Sequence, residues 1–189
     1  MREHRILYLF LLILLFASCS KMLPKVDQAL LNAAEQGDAV AQIKVALACD
    51  EAGDPEEAAQ WYALAAEQGV SEAQNNLGVM LKDGQGVEQD YDEAARWFTM
   101  AARQDNMLAQ LNLGWLYHAG KGVQQDADSA QYWYERAAEK GHATAQLNLG
   151  ILLLQQADTV AATLWLQQAA EQGNEGAQRI LRILNEKRE

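Results

Sequence analysis

Few side chains in this sequence of 189 residues could carry out nucleophilic or metal-dependent chemistry. Ser18 and Lys21 make its one Ser-x-x-Lys pair, the spacing with which a serine acyl enzyme lets a lysine activate the hydroxyl. No Lys-Thr-Gly follows, and the sequence has neither a His-Glu-x-x-His motif nor a cysteine cluster that would predict zinc. The sequence therefore favours a non-enzymatic protein that needs no cofactor and no metal.

The Ser-x-x-Lys pair falls at the end of a predicted export signal. Arg2 and Arg5 precede an uninterrupted apolar run over residues 6–16, and small residues follow it. This arrangement is typical of a secretory signal peptide, and the run is shorter than the roughly 20 residues that span a bilayer. We therefore expect residues 1–18 to be removed, which would separate Ser18 from Lys21.

The number of cysteines and the net charge argue against an internal disulfide and against a nucleic-acid partner. Only Cys19 and Cys49 are present, and the first lies at the predicted cleavage site, so no internal disulfide is expected in the exported chain. Cys49 occupies a position that is apolar in the other repeats, which predicts a core side chain. The net charge of −11 argues against nucleic acid as a partner, because an acidic surface repels phosphates.

The rest of the chain is organised by one repeated phrase, Ala-Ala followed eight positions later by Ala-Gln. The five copies begin at residues 33, 65, 101, 137 and 169, so the period is 32 or 36 residues. Such a period predicts a solenoid, in which each unit buries its apolar face by stacking on its neighbours. Each unit also carries apolar residues at helical spacing, which predicts a pair of helices per unit.

Glycines recur at fixed places in these units. One lies inside the first helix of three units, at a cost of up to about 1 kcal/mol relative to alanine, so we expect close packing on an adjacent helix there. These glycines are Gly78, Gly114 and Gly150. A second set follows the second helix and predicts left-handed caps, with Asp105 in place of glycine once. These are Gly69, Gly141 and Gly173.

Two units have a glycine-rich connection between their helices, at residues 84–87 and 120–123. A phosphate-binding loop would follow a strand and open into a helix, and no strand pattern precedes either segment. Both segments are therefore interpreted as turns. Asp90 and Asp126, which follow them, are predicted to be N-caps of the second helices.

Together these motifs resemble the Sel-one-like repeat, a relative of the tetratricopeptide repeat. The matching elements are Ala-Gln-x-Asn-Leu-Gly, Gly-x-Gly-Val, Ala-x-x-Trp-Tyr or Trp-Phe, and Ala-Ala-x-x-Gly. The resemblance implies an all-α fold over residues 25–189, a right-handed α-solenoid of antiparallel helix pairs that serves as an interaction scaffold. Its four units are expected at residues 41–70, 73–105, 109–141 and 145–173, with half-units on either side.

The segment Phe-Ala-Ser-Cys that ends at Cys19 resembles the lipobox of bacterial lipoproteins. The resemblance implies that Cys19 is acylated, that residues 19–24 form a short lipid-anchored tether, and that the protein is attached to a membrane. Ser20, rather than aspartate, follows the cysteine, which by similarity to sorted lipoproteins implies the outer membrane, facing the periplasm. The alternative is ordinary cleavage that releases a soluble periplasmic protein.

By similarity to tetratricopeptide superhelices, the first helices should line a concave groove. An apolar strip is expected there in units three and four, made by Leu108, Leu111, Trp115, Leu147, Ile151 and Leu154, with His118 beside it as a further groove residue. An exposed apolar strip of this kind marks a protein contact, and tryptophan is the residue most enriched at interface centres. The other interpretation is that neighbouring first helices bury the strip themselves.

An asparagine recurs beside this strip, at Asn76, Asn112 and Asn148. An amide both donates and accepts hydrogen bonds, so these residues could hold the backbone of an extended peptide, as asparagines do in peptide-binding tetratricopeptide domains. The alternative is that they bond to neighbouring helix ends.

Acidic residues concentrate in the first two units, at Asp50, Glu51, Glu72 and Asp83. They favour a protein or peptide partner with apolar and basic parts. Binding of a peptidoglycan or other cell-wall fragment is the second hypothesis. A third, β-lactam hydrolysis, comes from cysteine-rich relatives of the repeat, which carry a disulfide in each unit, whereas this chain has none.

Overall fold

The computed structural model describes residues 26–186, and these residues form ten α-helices and no strand. The helices are α1 (Gln28–Glu35), α2 (Ala39–Glu51), α3 (Pro55–Glu67), α4 (Ser71–Asp83), α5 (Tyr91–Arg103), α6 (Met107–Ala119), α7 (Ala127–Glu139), α8 (Ala143–Gln155), α9 (Thr159–Glu171) and α10 (Glu175–Glu186). The predicted all-α helical repeat solenoid is confirmed. The predicted signal peptide, the tether and Cys19 lie outside the described residues.

The helices pack in chain order. Helices α2 and α3, α4 and α5, α6 and α7, and α8 and α9 form four pairs, and each pair packs on the next through its second helix. The first helices of repeats one to four are thus α2, α4, α6 and α8, and the second helices are α3, α5, α7 and α9. Helices α1 and α10 cover the two ends of the row. Between residues 26 and 186, no helix is long and apolar enough to cross a membrane.

The helix ends follow the sequence signals. The Asp90 carboxylate accepts a hydrogen bond from the Glu93 N–H, and that of Asp126 accepts one from the Asp128 N–H, so both predicted N-caps are confirmed. The second helices of repeats one, three and four are followed by Gly69, Gly141 and Gly173 with φ of +89°, +86° and +85°. Asp105 takes the same left-handed conformation with φ of +63°, which confirms the expected substitution for glycine.

The glycines inside the first helices allow close contact between the two helices of one repeat. A Cβ added to Gly78 would lie 2.7 Å from the Phe98 ring, and one added to Gly114 would lie 2.7 Å from the Tyr134 ring. In repeat four the corresponding distance from Gly150 to Leu166 is 2.6 Å. Each facing side chain is fully buried, so the glycine makes room for a large core residue of its repeat. The predicted close packing is confirmed.

The glutamine in each of the first four Ala-Gln phrases has a structural role that the sequence did not reveal. Its side-chain amide donates to the carbonyl of the residue eight positions earlier, at the end of the preceding helix. The four pairs are Gln42 to Ala34 (3.0 Å), Gln74 to Ala66 (3.2 Å), Gln110 to Ala102 (3.2 Å) and Gln146 to Ala138 (3.1 Å). Its oxygen accepts from a residue just after the next second helix: Gln68, Gln104, Lys140 or Gln172. Each buried glutamine therefore ties three successive helices together.

Candidate partner-binding surface

The predicted apolar strip is only partly open to solvent. Leu108 is 48% exposed and Trp115 36%, and both lie on the same face of α6. Leu111, Leu147, Ile151 and Leu154 are half-buried. Leu147 and Leu154 pack against the core formed by Leu166, Ala169 and Ala177 at the end of the solenoid. Partner contact thus suits repeat three, whereas internal packing accounts for much of the strip in repeat four.

Trp115 lies in a cluster that joins repeats two and three. Its ring centroid is 6.4 Å from that of Tyr91, and the Lys82 and Lys121 ammonium groups lie 5.7 and 5.4 Å from it. Lys121 also lies 4.8 Å from the Tyr91 ring centroid, with its Nζ 3.2 Å from the Tyr91 hydroxyl oxygen. Such cation–π contacts contribute about 0.5–1 kcal/mol each at exposed sites. We call Lys82, Tyr91, Trp115 and Lys121 the Trp115 cluster.

The histidines of the described segment serve the fold. His118 is half-buried and its ring meets that of Tyr134 edge-on, with 6.3 Å between centroids. Its backbone carbonyl accepts a hydrogen bond from the Gln125 amide at 2.8 Å. His142 caps α8 by accepting from the Ala145 N–H. His118 therefore borders the strip but its ring is largely engaged by the core.

Asn76 and Asn112 bond to other asparagine side chains rather than to helix ends. Asn112 donates to Asn75 Oδ1 at 3.2 Å, and Asn75 donates to Asn76 Oδ1 at 3.2 Å, which links α4 to α6. Burial raises the pKa of the Tyr62 hydroxyl, and the neighbouring Asn76 side chain offsets part of that rise. The amides of Asn76 and Asn112 are thus already engaged within the solenoid.

Asn148 lies beside the Tyr134 hydroxyl, as Asn76 lies beside that of Tyr62. Burial raises the pKa of the Tyr134 hydroxyl, and Asn148 lies near enough to oppose the rise. The Tyr134 hydroxyl makes no hydrogen bond to any residue between 26 and 186. It is a buried polar group that the fold leaves poorly satisfied.

A small cavity of about 240 Å³ opens on the first-helix side between repeats one and two. Its lining includes Leu47, Asp50, Tyr62, Asn76 and Val79.

At the next repeat boundary, the positions of Asp50, Val79 and Gln85 are taken by Lys82, Trp115 and Lys121. We call this side of α2, α4, α6 and α8 the first-helix face. It is acidic in repeat one, basic and aromatic around Trp115, and apolar beyond.

The glycine-rich turns, predicted only as turns, also form contacts between repeats. The backbone of Gly86, with φ of +68°, lies so close to α3 that an added Cβ would be 2.2 Å from the Pro55 carbonyl. Gly122 meets the start of α5 in the same way. The recurrence of Gly-x-Gly-Val in two units is the sequence signal that marks these contacts.

A row of helix pairs with one partly exposed apolar face defines a class, the α-solenoid interaction proteins. Within that class the chain belongs to the Sel1 repeat family. The family model matches at residues 39–70, 71–106, 108–142 and 143–174, which is more than half of the sequence. Repeats of this kind and their tetratricopeptide-like relatives are generally protein-interaction scaffolds. Curated proteins yielded no match to this chain.

Solved structures support this membership. The chain is 35% identical to c5321, a protective antigen present in uropathogenic Escherichia coli strains, with a TM-score of 0.78 over 85% of this chain and 37% of that one. It is 33% identical to a Sel1 repeat protein from Oxalobacter formigenes, with a TM-score of 0.72 over 83% of this chain and 69% of that one. Helicobacter pylori cysteine rich protein B, 22% identical with a TM-score of 0.52 over 65% and 96% of the two chains, shares the fold.

Proposed function

We propose that this protein is a non-enzymatic interaction scaffold of the bacterial cell envelope that holds a protein or peptide partner on the first-helix face. The observation that carries this proposal is the joint exposure of Leu108 and Trp115 on one face of α6. An indole that is rigid, partly exposed and flanked by charged groups is the kind of side chain that dominates binding energy at protein interfaces.

The charges along the first-helix face indicate how charged groups should be arranged on the partner. Asp50 faces the cavity between repeats one and two, whereas Lys82 and Lys121 flank Trp115 one repeat later. The partner should therefore carry a basic group towards repeat one, an acidic group near Trp115, and an apolar side chain for Leu108. This refines the sequence-based expectation of a partner with apolar and basic parts.

The envelope location rests on the N-terminal sequence. The basic start, the apolar run over residues 6–16 and the lipobox-like segment ending at Cys19 support export and acylation. Three acyl chains on Cys19 would attach the protein firmly, since two lipid signals already suffice. The tether of residues 19–24 would then hold the solenoid close to the outer membrane on its periplasmic side.

Cell-wall binding is the second candidate, and one observation favours it. A single indole flanked by two ammonium groups, as in the Trp115 cluster, could stack on a sugar ring while pairing with carboxylates of the same ligand. The protein partner is preferred, because Leu108 extends the exposed surface away from the cluster with an aliphatic side chain.

The test is a crosslinking pulldown from intact cells. It compares the wild type, the variant Leu108→Ser with Trp115→Ala, and a control variant Leu164→Ser, whose side chain is exposed on α9. Circular dichroism and melting first establish that all three proteins are equally folded. A partner captured by the wild type and the control but lost in the double variant supports the proposal. A partner captured equally by all three refutes this site, and co-sedimentation of wall fragments alone favours the second candidate.

A further inference from the structure

A groove of about 750 Å³ lies between the second helices of repeats one and two. Helix α3 forms one wall, α5 the other, and residues 86–90 close one end. Ala63 and Val87 contribute partly exposed apolar surface, the Trp97 indole lines the α5 side, and the buried Leu77 and Leu81 of α4 lie at the floor. None of the lining residues belongs to the Trp115 cluster or to the strip, so the groove is independent of the surface in the proposed function.

The charged side chains that line this groove are all acidic: Glu56, Glu67, Glu88, Asp90 and Glu93. Two of them have local roles, since Asp90 caps α5 and Glu93 accepts from the Trp97 indole N–H at 3.4 Å. None of the five forms a salt bridge within residues 26–186. We call this feature the acidic groove.

The next repeat boundary shows that the fold does not require this charge. The residues 36 positions later keep the apolar lining, with Leu113, Val123 and Trp133 in place of Leu77, Val87 and Trp97. Glu67, Glu88 and Glu93, by contrast, become Arg103, Gln124 and Ser129. Asp92 and Asp126 remain but are balanced by Arg96 and Arg103, so the equivalent lining is neutral. The second boundary therefore keeps apolar residues at these positions without the net negative charge.

The distribution of the carboxylates indicates the kind of cation. Within residues 26–186, no group of three Asp, Glu, His or Cys side chains converges closely enough to hold a metal ion. The charges instead lie along both walls of an elongated groove with apolar surface and an indole between them. That arrangement suits separated positive charges on a chain that also carries apolar atoms, as lysine and arginine side chains do with their aliphatic stems.

We propose that the acidic groove docks a cationic segment of a partner protein, in which lysine or arginine residues flank an apolar side chain. The apolar side chain would rest on Ala63 and Val87. An arginine stem would lie along Trp97, where a guanidinium gains from the face of the ring. The flanking cations would pair with Glu56, Glu67 and Glu88, which make no side-chain hydrogen bond or salt bridge within the described chain.

The test measures fluorescence anisotropy of a labelled peptide, Lys-Leu-Arg-Leu-Lys, with the purified full-length protein in mild detergent. The groove variant combines Glu56→Gln, Glu67→Gln and Glu88→Gln. The matched control combines Glu171→Gln, Glu175→Gln and Glu186→Gln, which removes the same charge from exposed positions near the end of the solenoid. We expect the groove variant to bind the peptide about tenfold more weakly, because three exposed ion pairs are lost, and the control to match the wild type.

Two further comparisons make the result specific. A peptide with glycine in place of both leucines should bind more weakly than the original, since the apolar surface would be left uncovered. The Leu108→Ser and Trp115→Ala variant should bind the original peptide normally, which separates this inference from the proposed function. Equal weakening in the groove and control variants would show only general attraction to an acidic protein and would overturn the proposal. Absence of binding to the wild type would overturn it as well.

Discussion

Gly122 approaches Tyr91 so closely that a Cβ added to the glycine would lie 2.0 Å from the Tyr91 carbonyl oxygen. The contact joins the turn of repeat three to the first residue of α5 in repeat two, and backbone atoms form both sides of it. Side chains can rotate away from a crowded site, but this backbone can move only if the two repeats separate. The turn is therefore part of the interface that sets the stacking of repeats and, with it, the position of Lys121 beside Trp115.

The first prediction follows from this contact. Gly122→Ala should lower the stability of the solenoid by about 3 kcal/mol or more, because it combines a steric overlap with a φ of +66° that alanine disfavours. The control is Gly141→Ala, at φ of +86° with no atom within 4 Å of the added Cβ, which should cost only about 1–2 kcal/mol. Urea unfolding followed by circular dichroism measures both. Similar midpoints for the two variants would contradict the importance of the interface.

The second prediction concerns the buried glutamines. Gln110 donates to the Ala102 carbonyl and the Asp105 carboxylate, both at 3.2 Å, and accepts from Lys140 at 3.1 Å. Gln110→Leu should cost about 1–3 kcal/mol, because these bonds are lost inside the protein.

Gln178 provides the matched control for that change. It makes the equivalent bond to the Ala170 carbonyl at 3.2 Å, but it is exposed on α10. Water can replace its amide, so Gln178→Leu should change stability by less than about 0.5 kcal/mol. Thermal melts of the two variants compare them directly, and a cost at Gln178 as large as at Gln110 would argue against the role of burial.

The fold could be predicted from the sequence because its signals repeat. Gly78 and Gly114 recur at one helical position, and a glycine that costs helix stability in several copies points to close packing, as the contacts with Phe98 and Tyr134 show. The Ala-Gln phrase marked the repeat equally well. The sequence did not show what the glutamine of this phrase does, since a polar residue at a fixed position is equally compatible with solvent exposure and with a buried hydrogen bond.

The binding surface could be predicted only in part. Trp115 and Ile151 occupy equivalent positions in their repeats, yet the first is exposed and the second is half-buried. Periodicity identifies the face of a helix but not how much of it the next repeat covers. The Trp115 cluster also escaped prediction, because Lys82 and Lys121 belong to different repeats and meet only through the superhelical stacking.

The third prediction concerns acid sensitivity. Hydrogen bonds from Arg136 and Lys140 hold the pKa of Asp105 below its ordinary value of 3.8. A carboxylate whose pKa is depressed by folding contributes stability above its unfolded pKa, and that contribution is lost as the pH falls through the folded value. Asp105→Asn should therefore remove part of the loss of melting temperature that the wild type shows below about pH 4. Asparagine tolerates the left-handed backbone at this position, so the change isolates the charge.

Melting curves between pH 2 and 7 measure this difference, and Arg136→Gln serves as a second variant. It should raise the pKa of Asp105 towards the ordinary value and flatten the same part of the curve, because it removes the larger of the two interactions. Asp105 is exposed, so the effect should also shrink in high salt. If melting temperature varied with pH in the same way for the wild type and both variants, the interactions of Asp105 with Arg136 and Lys140 would not affect stability.

The fourth prediction compares two tyrosines at equivalent positions of repeats one and three. The Tyr62 side chain lines the cavity between repeats one and two, where water and the Asn76 side chain can reach its hydroxyl, whereas the buried Tyr134 hydroxyl makes no hydrogen bond within residues 26–186. Tyr62→Phe should therefore cost about 1 kcal/mol, while Tyr134→Phe should leave stability unchanged or raise it, because a poorly satisfied polar group leaves the core. Repeat two already has Phe98 at this position, fully buried, so the fold accommodates the substitution. Thermal melts of the two single variants test this prediction. A larger loss of stability at Tyr134 than at Tyr62 would mean that the Tyr134 hydroxyl does bond to Asn148 in solution.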